Sequence, residues 1–312
     1  MDATTSLQIK GAIFTAILPA FSVIVFALVG HFTGGRGSRA RRWPLAAGIA
    51  LGMAGSYFGI TGGLPDWPIT DGGAWLPFLL LGIFGLFAAL DRGEESQGIA
   101  RVMPAIAIGL GAIIYLTLAT SIEQTWTTAS DLLLHVGAPA GLALLLWLGV
   151  DRAQVRAASP AIFAAICVAS IGAAVTALLG SSAKLAQLLG ALAAASGMAA
   201  LISWRWPHLK AGHSGVAVLL TGYIGVLVYA HHYAYPGLPV TSMILLSTAP
   251  LAAAVATLVP KTLPAVAVTS LVALAPAASA AWITKSQADA AAAADEAEGK
   301  SKFGEGYVEP TY

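Results

Sequence analysis

Two pairs of side chains in this sequence are suited to metal or proton chemistry. Asp131 and His135 stand four residues apart, and His231 and His232 are adjacent in a tyrosine-rich segment. Residues at i and i+4 share one face of a helix, so Asp131 and His135 can pair. Imidazole and carboxylate groups also suit zinc, copper or iron. These four residues are therefore candidate metal ligands.

The same residues have a simpler interpretation. Polar side chains at the end of an apolar helix commonly place their polar atoms in the membrane interface. Two haem-ligating histidines would need facing helices and a deeper position. We therefore predict no cofactor, and keep a metal, a haem or a proton-accepting site as the alternative. His31, His208 and His213 are expected to be solvated.

Motifs of soluble enzymes are absent from the sequence. It has no Walker-type phosphate loop, no zinc-protease His-Glu pair and no serine nucleophile elbow. A net charge of +1 leaves no basic surface for nucleic acid. Cys167 is the only cysteine, which excludes an intrachain disulfide and a cysteine-rich metal site. No catalytic residue is predicted, and the sequence favours a function other than catalysis.

The composition predicts an all-α transmembrane bundle. Only 10% of the 312 residues are charged, against about 25% in soluble domains. A spanning helix needs about 20 mostly apolar residues, and we predict ten spans, arranged as a leading helix, four hairpins and a closing helix. The predicted spans are 10–32, 44–63, 75–90, 102–122, 131–150, 160–180, 185–204, 214–234, 240–259 and 264–284. Residues 1–284 form this membrane domain, and residues 285–312 form an acidic, alanine-rich tail outside the membrane.

An arginine cluster between the first two spans predicts the orientation of the chain. Lys and Arg near span ends remain on the cytoplasmic side, and they also meet anionic lipid headgroups. With that loop inside, eleven of the sixteen cations fall on the cytoplasmic side. We therefore predict a bacterial inner-membrane protein with both termini in the periplasm. The cluster consists of Arg36, Arg39, Arg41 and Arg42.

Small residues and prolines predict how the spans pack and bend. Gly48 and Gly52, and then Gly55 and Gly59, form two Gly-x-x-x-Gly motifs, which permit close helix contact inside the chain or with another subunit. Interior prolines remove a helix hydrogen bond and tend to kink a span. The prolines concerned are Pro19, Pro139, Pro250 and Pro276.

The tail differs from the rest of the chain. Its composition is typical of a short helix followed by disorder, and its position outside the membrane suits docking on a partner. The predicted partner-binding residues are Tyr307, Glu309 and Tyr312. The expected partners are the lipid bilayer and other membrane or periplasmic protein subunits.

Three functions are compatible with these features. The first is a non-catalytic integral subunit or scaffold of a larger inner-membrane complex, favoured by small-residue packing, the tail and the scarcity of charge inside the spans. The second is a small-solute transporter or channel, in which Pro139 and Pro276 occupy corresponding spans of two halves near a binding site. The third is a membrane redox or metal-binding subunit that uses the histidines named above.

Overall fold

The computed structural model describes residues 3–33, 43–67, 69, 72–90, 128–180, 182–233 and 238–297. Every regular element in these ranges is a helix. The prediction of an all-α helical bundle is therefore confirmed.

The first half of the described chain contains two long spans and a shorter apolar helix. A π-helical turn at Ile13–Ile17 joins the first two helices into one continuous span, and a short 3-10 turn at Gly72–Trp75 precedes the fourth helix. The helices are α1 (Ala3–Ala12), α2 (Leu18–Thr33), α3 (Trp43–Thr61) and α4 (Leu76–Leu90).

The second half is a series of longer helices. A second π-helical turn, Leu133–Gly137, joins α5 to α6, and 3-10 turns at Ala249–Leu251 and Ala256–Leu258 interrupt the span that contains α10 and α11. The helices are α5 (Ala129–Leu132), α6 (Ala138–Arg156), α7 (Ser159–Leu179), α8 (Ala183–Arg205), α9 (Gly212–Tyr233), α10 (Val240–Thr248), α11 (Ala252–Val255) and α12 (Thr262–Ala297).

Nine of the ten predicted spans coincide with described helices. Eight helical segments are long and apolar enough to cross a membrane, and the shorter apolar helix Gly73–Ala88 occupies the third predicted span. The fourth predicted span, 102–122, lies outside the described residues. The total of ten spans therefore stays a prediction.

The helix α9 forms the centre of the bundle. It packs against α3, α4, α6, α8 and α10. Of the residues in its most apolar stretch, 89% are buried inside the protein, compared with 17% in the first span. A helix that is apolar on all sides is stable only when protein or lipid surrounds it. Its central position accounts for the nearly continuous apolar sequence of this span.

The glycine motifs of α3 form a seam with the first span. A Cβ atom added to Gly48 would lie 2.7 Å from the Cα of Val23, and one added to Gly52 would lie 2.9 Å from the Cα of Pro19. At Gly59 the same atom would overlap the ring of Phe14. The contact that these motifs predict is thus internal to the chain, because the opposing atoms belong to its own first span. Only glycine allows the two backbones to approach this closely.

The interior prolines are accommodated in different ways. Pro19 and Pro139 each follow a π-helical turn, in which the backbone N–H bonds to the carbonyl five residues earlier. This wider turn gives space to a ring that clashes with the carbonyl four residues before it. Pro250 lies inside a 3-10 turn, whereas Pro276 lies within the uninterrupted helix α12.

Tyr223 forms a hydrogen bond at the point where Pro250 interrupts the helix. Proline has no N–H to donate to the carbonyl of Leu246, four residues earlier. The hydroxyl of Tyr223 donates to that carbonyl at 2.8 Å, and the N–H of Ala249 bonds to it as well. The tyrosine side chain is fully buried. A polar side chain on the central helix therefore satisfies a backbone acceptor that the proline leaves without its usual donor.

Candidate functional sites at the two ends of the bundle

The close contacts separate the helix ends into two groups. At one end Gly30 lies against Pro44, near the last turns of α6 and α8 that carry Arg156 and Arg205; we call this the arginine end. At the opposite end, Phe14 lies against Gly59, where α3 ends and α8 begins. We call this the cavity end, after the cavity described below. The arginine cluster of the first loop, residues 36–42, lies outside the described residues.

Three of the four predicted metal-ligand candidates lie together at the cavity end. The ring centroids of His135 and His232 are 5.5 Å apart, and those of His231 and His232 are 4.6 Å apart. The Nδ1 atom of His231 lies 2.8 Å from the carbonyl oxygen of Leu238, just before α10 begins. The cluster therefore connects the fifth predicted span to the eighth and to the start of the ninth.

Asp131 has a structural role at the start of α5. Its carboxylate accepts a hydrogen bond from the backbone N–H of Thr128 at 3.4 Å and one from the Thr128 hydroxyl at 2.6 Å, and that hydroxyl oxygen accepts one from the N–H of Asp131. This reciprocal arrangement is a capping box, which satisfies the free N–H groups of a first helical turn. Among the described residues, no group of three or more His, Cys, Asp or Glu side chains is placed to hold a metal ion. The metal and haem alternative therefore rests on the sequence alone.

The arginine end contains a buried polar cluster that the sequence did not indicate. The Nδ1 atom of His213 lies 2.6 Å from Oδ1 of Asp151, and the amide of Gln154 donates to the same oxygen at 3.0 Å. Asp151 is 2% exposed and the His213 side chain is 15% exposed. The expectation that His213 is solvated is wrong. The cluster fixes the end of α6 to the start of α9.

His31 and His208 are also packed rather than free in solvent. The ring of His31 stacks on Trp206 with centroids 4.7 Å apart, and its Nδ1 lies 3.2 Å from Nε2 of His208. These contacts attach the end of α2 to the segment after α8. Both residues are half-buried, so the expectation that they are solvated holds only in part, because the loop after α8 folds over the end of the first span.

A cavity of about 370 Å³ opens at the cavity end. Its wall is formed by the end of α3, the segment that follows it, the start of the next helical turn and the start of α8. Two residues of opposite charge, Lys184 and Asp66, line it, and both are exposed. The lining residues are Tyr57, Thr61, Gly62, Gly63, Leu64, Pro65, Asp66, Ile69, Ala74 and Lys184.

A narrow cleft continues from this cavity into the bundle. It shares Tyr57 and Lys184 with the cavity and runs between Leu76 and Leu188. Its free space is about 10 Å³, which is about the room of one water molecule. Neither Pro139 nor Pro276 lines the cavity or the cleft. The binding site that the transporter alternative expects beside these prolines thus stays a prediction.

The last helix extends beyond the packed bundle. The α12 helix continues without a break from the predicted tenth span into the predicted tail and ends at Ala297. Residues 285–294 are all exposed, and Lys285 pairs with Asp289 on the same helix. We call residues 285–297 the arm. The predicted partner-binding residues of the tail, Tyr307, Glu309 and Tyr312, lie outside the described residues.

These features define the chain as a multi-pass helical membrane protein. Comparisons with protein-family models, with curated proteins and with solved structures each gave no match.

Proposed function

We propose that this protein is a non-catalytic integral subunit of a larger inner-membrane complex, and that the arm is its docking element. The length of α12 carries the proposal. Its 36 residues extend over about 54 Å at 1.5 Å per residue, whereas the hydrocarbon core of a bilayer is about 30 Å thick. Residues 285–294 of this excess are all exposed, which makes them accessible to a partner.

The base of the arm is held in a fixed direction. The hydroxyl of Ser242 donates to the carbonyl of Ala280 at 3.1 Å, and it lies 2.9 Å from the hydroxyl of Thr284. Both side chains are buried. Hydrogen bonds between helices inside a membrane contribute about 0.6 kcal/mol each on average. The pair attaches α12 to α10 at the last turn before the arm, so that the arm continues the helix axis outward.

The chemistry of the arm supports a protein partner with a basic surface. Asp289, Asp295 and Glu296 give the arm an excess of negative charge over its single lysine, Lys285. The alanines between them expose little side chain and allow another helix to approach closely. A basic surface on a membrane or periplasmic subunit would complement both properties.

The proposal includes the orientation of the bundle in the membrane, with the arm on the periplasmic side. The last turns of α6 and α8 carry Arg156 and Arg205 at one end of the bundle. Cations at span ends favour the cytoplasmic side, which assigns the arginine end to the cytoplasm. The cavity end and the arm would then face the periplasm. A cysteine placed on the arm should react with a membrane-impermeant thiol reagent in intact cells, and protection from the reagent would contradict this orientation.

Two truncations test the docking function. The full chain, a chain ending at Thr284 and a control chain ending at Ala297 are produced in the native membrane and extracted in mild detergent. We expect the full chain to migrate in a large complex and the chain without the arm to migrate alone. The control separates the arm from the fifteen residues that follow it. Equal thermal stability of the three chains would show that the membrane domain is intact.

Two results would contradict the proposal. If the chain ending at Thr284 still enters a complex of the same mass, the arm is not the docking element. If the full chain is a monodisperse single subunit in the native membrane extract, the protein does not belong to a larger assembly.

A further inference from the structure

We propose that the cavity at the cavity end binds a small zwitterionic group, with Lys184 facing its anionic part and Asp66 its cationic part. The site is separate from the arm and does not depend on the docking function. Its volume of about 370 Å³ is within the usual range of about 300 to 1,000 Å³ for small-molecule sites. A compact ligand with two opposite charges would fit a cavity of this size.

The two charges of the cavity favour a ligand with two charges of its own. Lys184 and Asp66 line the same cavity and are both exposed, and the ion pairs between described residues do not include one between them. Neither has another hydrogen-bond partner among the described residues. A purely anionic ligand would meet repulsion from Asp66, and a purely cationic one would meet repulsion from Lys184. A zwitterion satisfies both side chains at once, because each of its charged groups can form a charge-assisted hydrogen bond.

The end of α3 gives the cavity a defined wall. The N–H groups of Gly62 and Gly63 both bond to the carbonyl of Phe58, and the hydroxyl of Thr61 bonds to the carbonyl of Tyr57. Gly62 and Gly63 have φ values of +92° and +149°, which side chains with a Cβ rarely adopt. These two glycines redirect the chain from the helix axis into the segment that carries Asp66.

The position of the cavity favours the headgroup of a lipid as one source of this zwitterion. Leu64 and Trp67, in the segment that carries Asp66, are 74% and 81% exposed. Exposed apolar and aromatic residues at the end of a span are typical of the membrane interface. The cleft below the cavity has space for about one water molecule, which is too little for an acyl chain. The site would therefore hold the headgroup alone, and the free zwitterion of the same structure is the other source.

Binding by the full chain tests the site. The purified protein is titrated with phosphatidylethanolamine, with phosphatidylglycerol and with free glycerophosphoethanolamine, and binding is followed by thermal stabilisation and native mass spectrometry. We expect the zwitterionic lipid to bind more tightly than the anionic one. Binding of the free headgroup compound as well would identify a site for soluble zwitterions, whereas binding of the lipid alone would identify a lipid site.

Two substitutions in the cavity assign the roles of the charged side chains. Lys184→Gln and Asp66→Asn should each weaken binding of the zwitterion about threefold, because both residues are exposed and solvent weakens the attraction between charges there. Lys10→Gln makes the same change of charge as Lys184→Gln at the same end of the bundle but outside the cavity, and should leave binding unchanged. Combining Asp66→Lys with Lys184→Asp exchanges the two charges and should restore part of the binding.

Three results would overturn the inference. The first is that neither phosphatidylethanolamine nor its free headgroup binds. The second is that both bind with unchanged affinity in the two cavity variants. The third is that phosphatidylglycerol binds as tightly as the zwitterion and is insensitive to Asp66→Asn, which would describe a simple anion site. An unchanged unfolding temperature of each variant ensures that these outcomes report on the cavity.

Discussion

Replacing Tyr223 by phenylalanine should lower the stability of the bundle, because a hydrogen bond to a backbone carbonyl is lost while the packing of the ring is kept. The change removes one hydroxyl from a fully buried side chain and leaves the ring in place. The lost contact is the 2.8 Å hydrogen bond to the carbonyl of Leu246. A net hydrogen bond contributes about 0.5 to 1.5 kcal/mol, so we expect the free energy of unfolding to fall by about 1 kcal/mol. The N–H of Ala249 remains on the same oxygen and limits the loss.

A second substitution, Pro250→Ala, tests whether the hydrogen bond of Tyr223 compensates for the missing N–H of the proline. In a Pro250→Ala background, residue 250 regains an N–H that can donate to the carbonyl of Leu246. The loss caused by Tyr223→Phe should then shrink by at least about 0.5 kcal/mol, the usual lower range of coupling between neighbouring groups. The measurement is a double-mutant cycle of reversible unfolding in mixed detergent micelles with increasing SDS, followed by circular dichroism.

The outcome of this cycle separates two explanations. Equal losses from Tyr223→Phe in both backgrounds would refute the idea that the tyrosine compensates for the proline. Thr248→Val serves as a control, because its hydroxyl bonds only to the carbonyl of Leu245 on its own helix and is exposed. This control should change stability little in either background.

Three further predictions concern contacts between helices; the first two use the same unfolding measurement, and the third uses distances between spin labels. Gly48→Ala should lower the free energy of unfolding by about 1 to 3 kcal/mol, because the new Cβ would lie 2.7 Å from a backbone atom of the first span. Gly55→Ala should be tolerated, because its Cβ would meet only a leucine side chain at 3.2 Å. Equal effects of the two substitutions would contradict a close backbone contact at Gly48. Asp151→Leu should destabilise the protein by about 1 to 3 kcal/mol, because it removes the buried oxygen that His213 and Gln154 both contact. An unchanged stability would show that these hydrogen bonds contribute little. Ser242→Ala should broaden the distance distribution between spin labels on the arm and the bundle, while an unaltered distribution would show that the arm is fixed by other contacts.

The fold was largely predictable because lipid imposes simple rules on sequence. Apolar segments of sufficient length predicted nine spans that coincide with described helices. The glycine motifs of α3 predicted a close helix contact, since small residues define where a backbone can approach. They did not identify the opposing helix, because many helices of a bundle can present a backbone to a glycine. The structure shows that the first span occupies this position.

The sites were less predictable for a physical reason. Hydropathy treats a charged residue near a span end as solvated, but burial depends on how the next loop folds. Asp151 and His213 are 62 residues apart in sequence, and no local pattern connects them. The cavity depends in the same way on the path of the segment after α3. By contrast, two of the candidate ligands singled out in the sequence, His135 and His232, do lie at the same end of the bundle, where their rings are 5.5 Å apart.

The π-helical turns at Ile13–Ile17 and Leu133–Gly137 have a consequence for how this chain tolerates mutation. Each turn contains one residue more than the regular helix would need. Because the wider turn already contains that extra residue, its deletion would restore a regular α-helical turn and would leave the residues beyond it on the same helix face. In α2, Val23 and Ala27 would then stay buried in the seam with α3. In a regular stretch of α3 the same deletion would rotate the following residues by about 100°. Loss of one residue should therefore be tolerated better within the two π-helical turns than in the regular helices beside them.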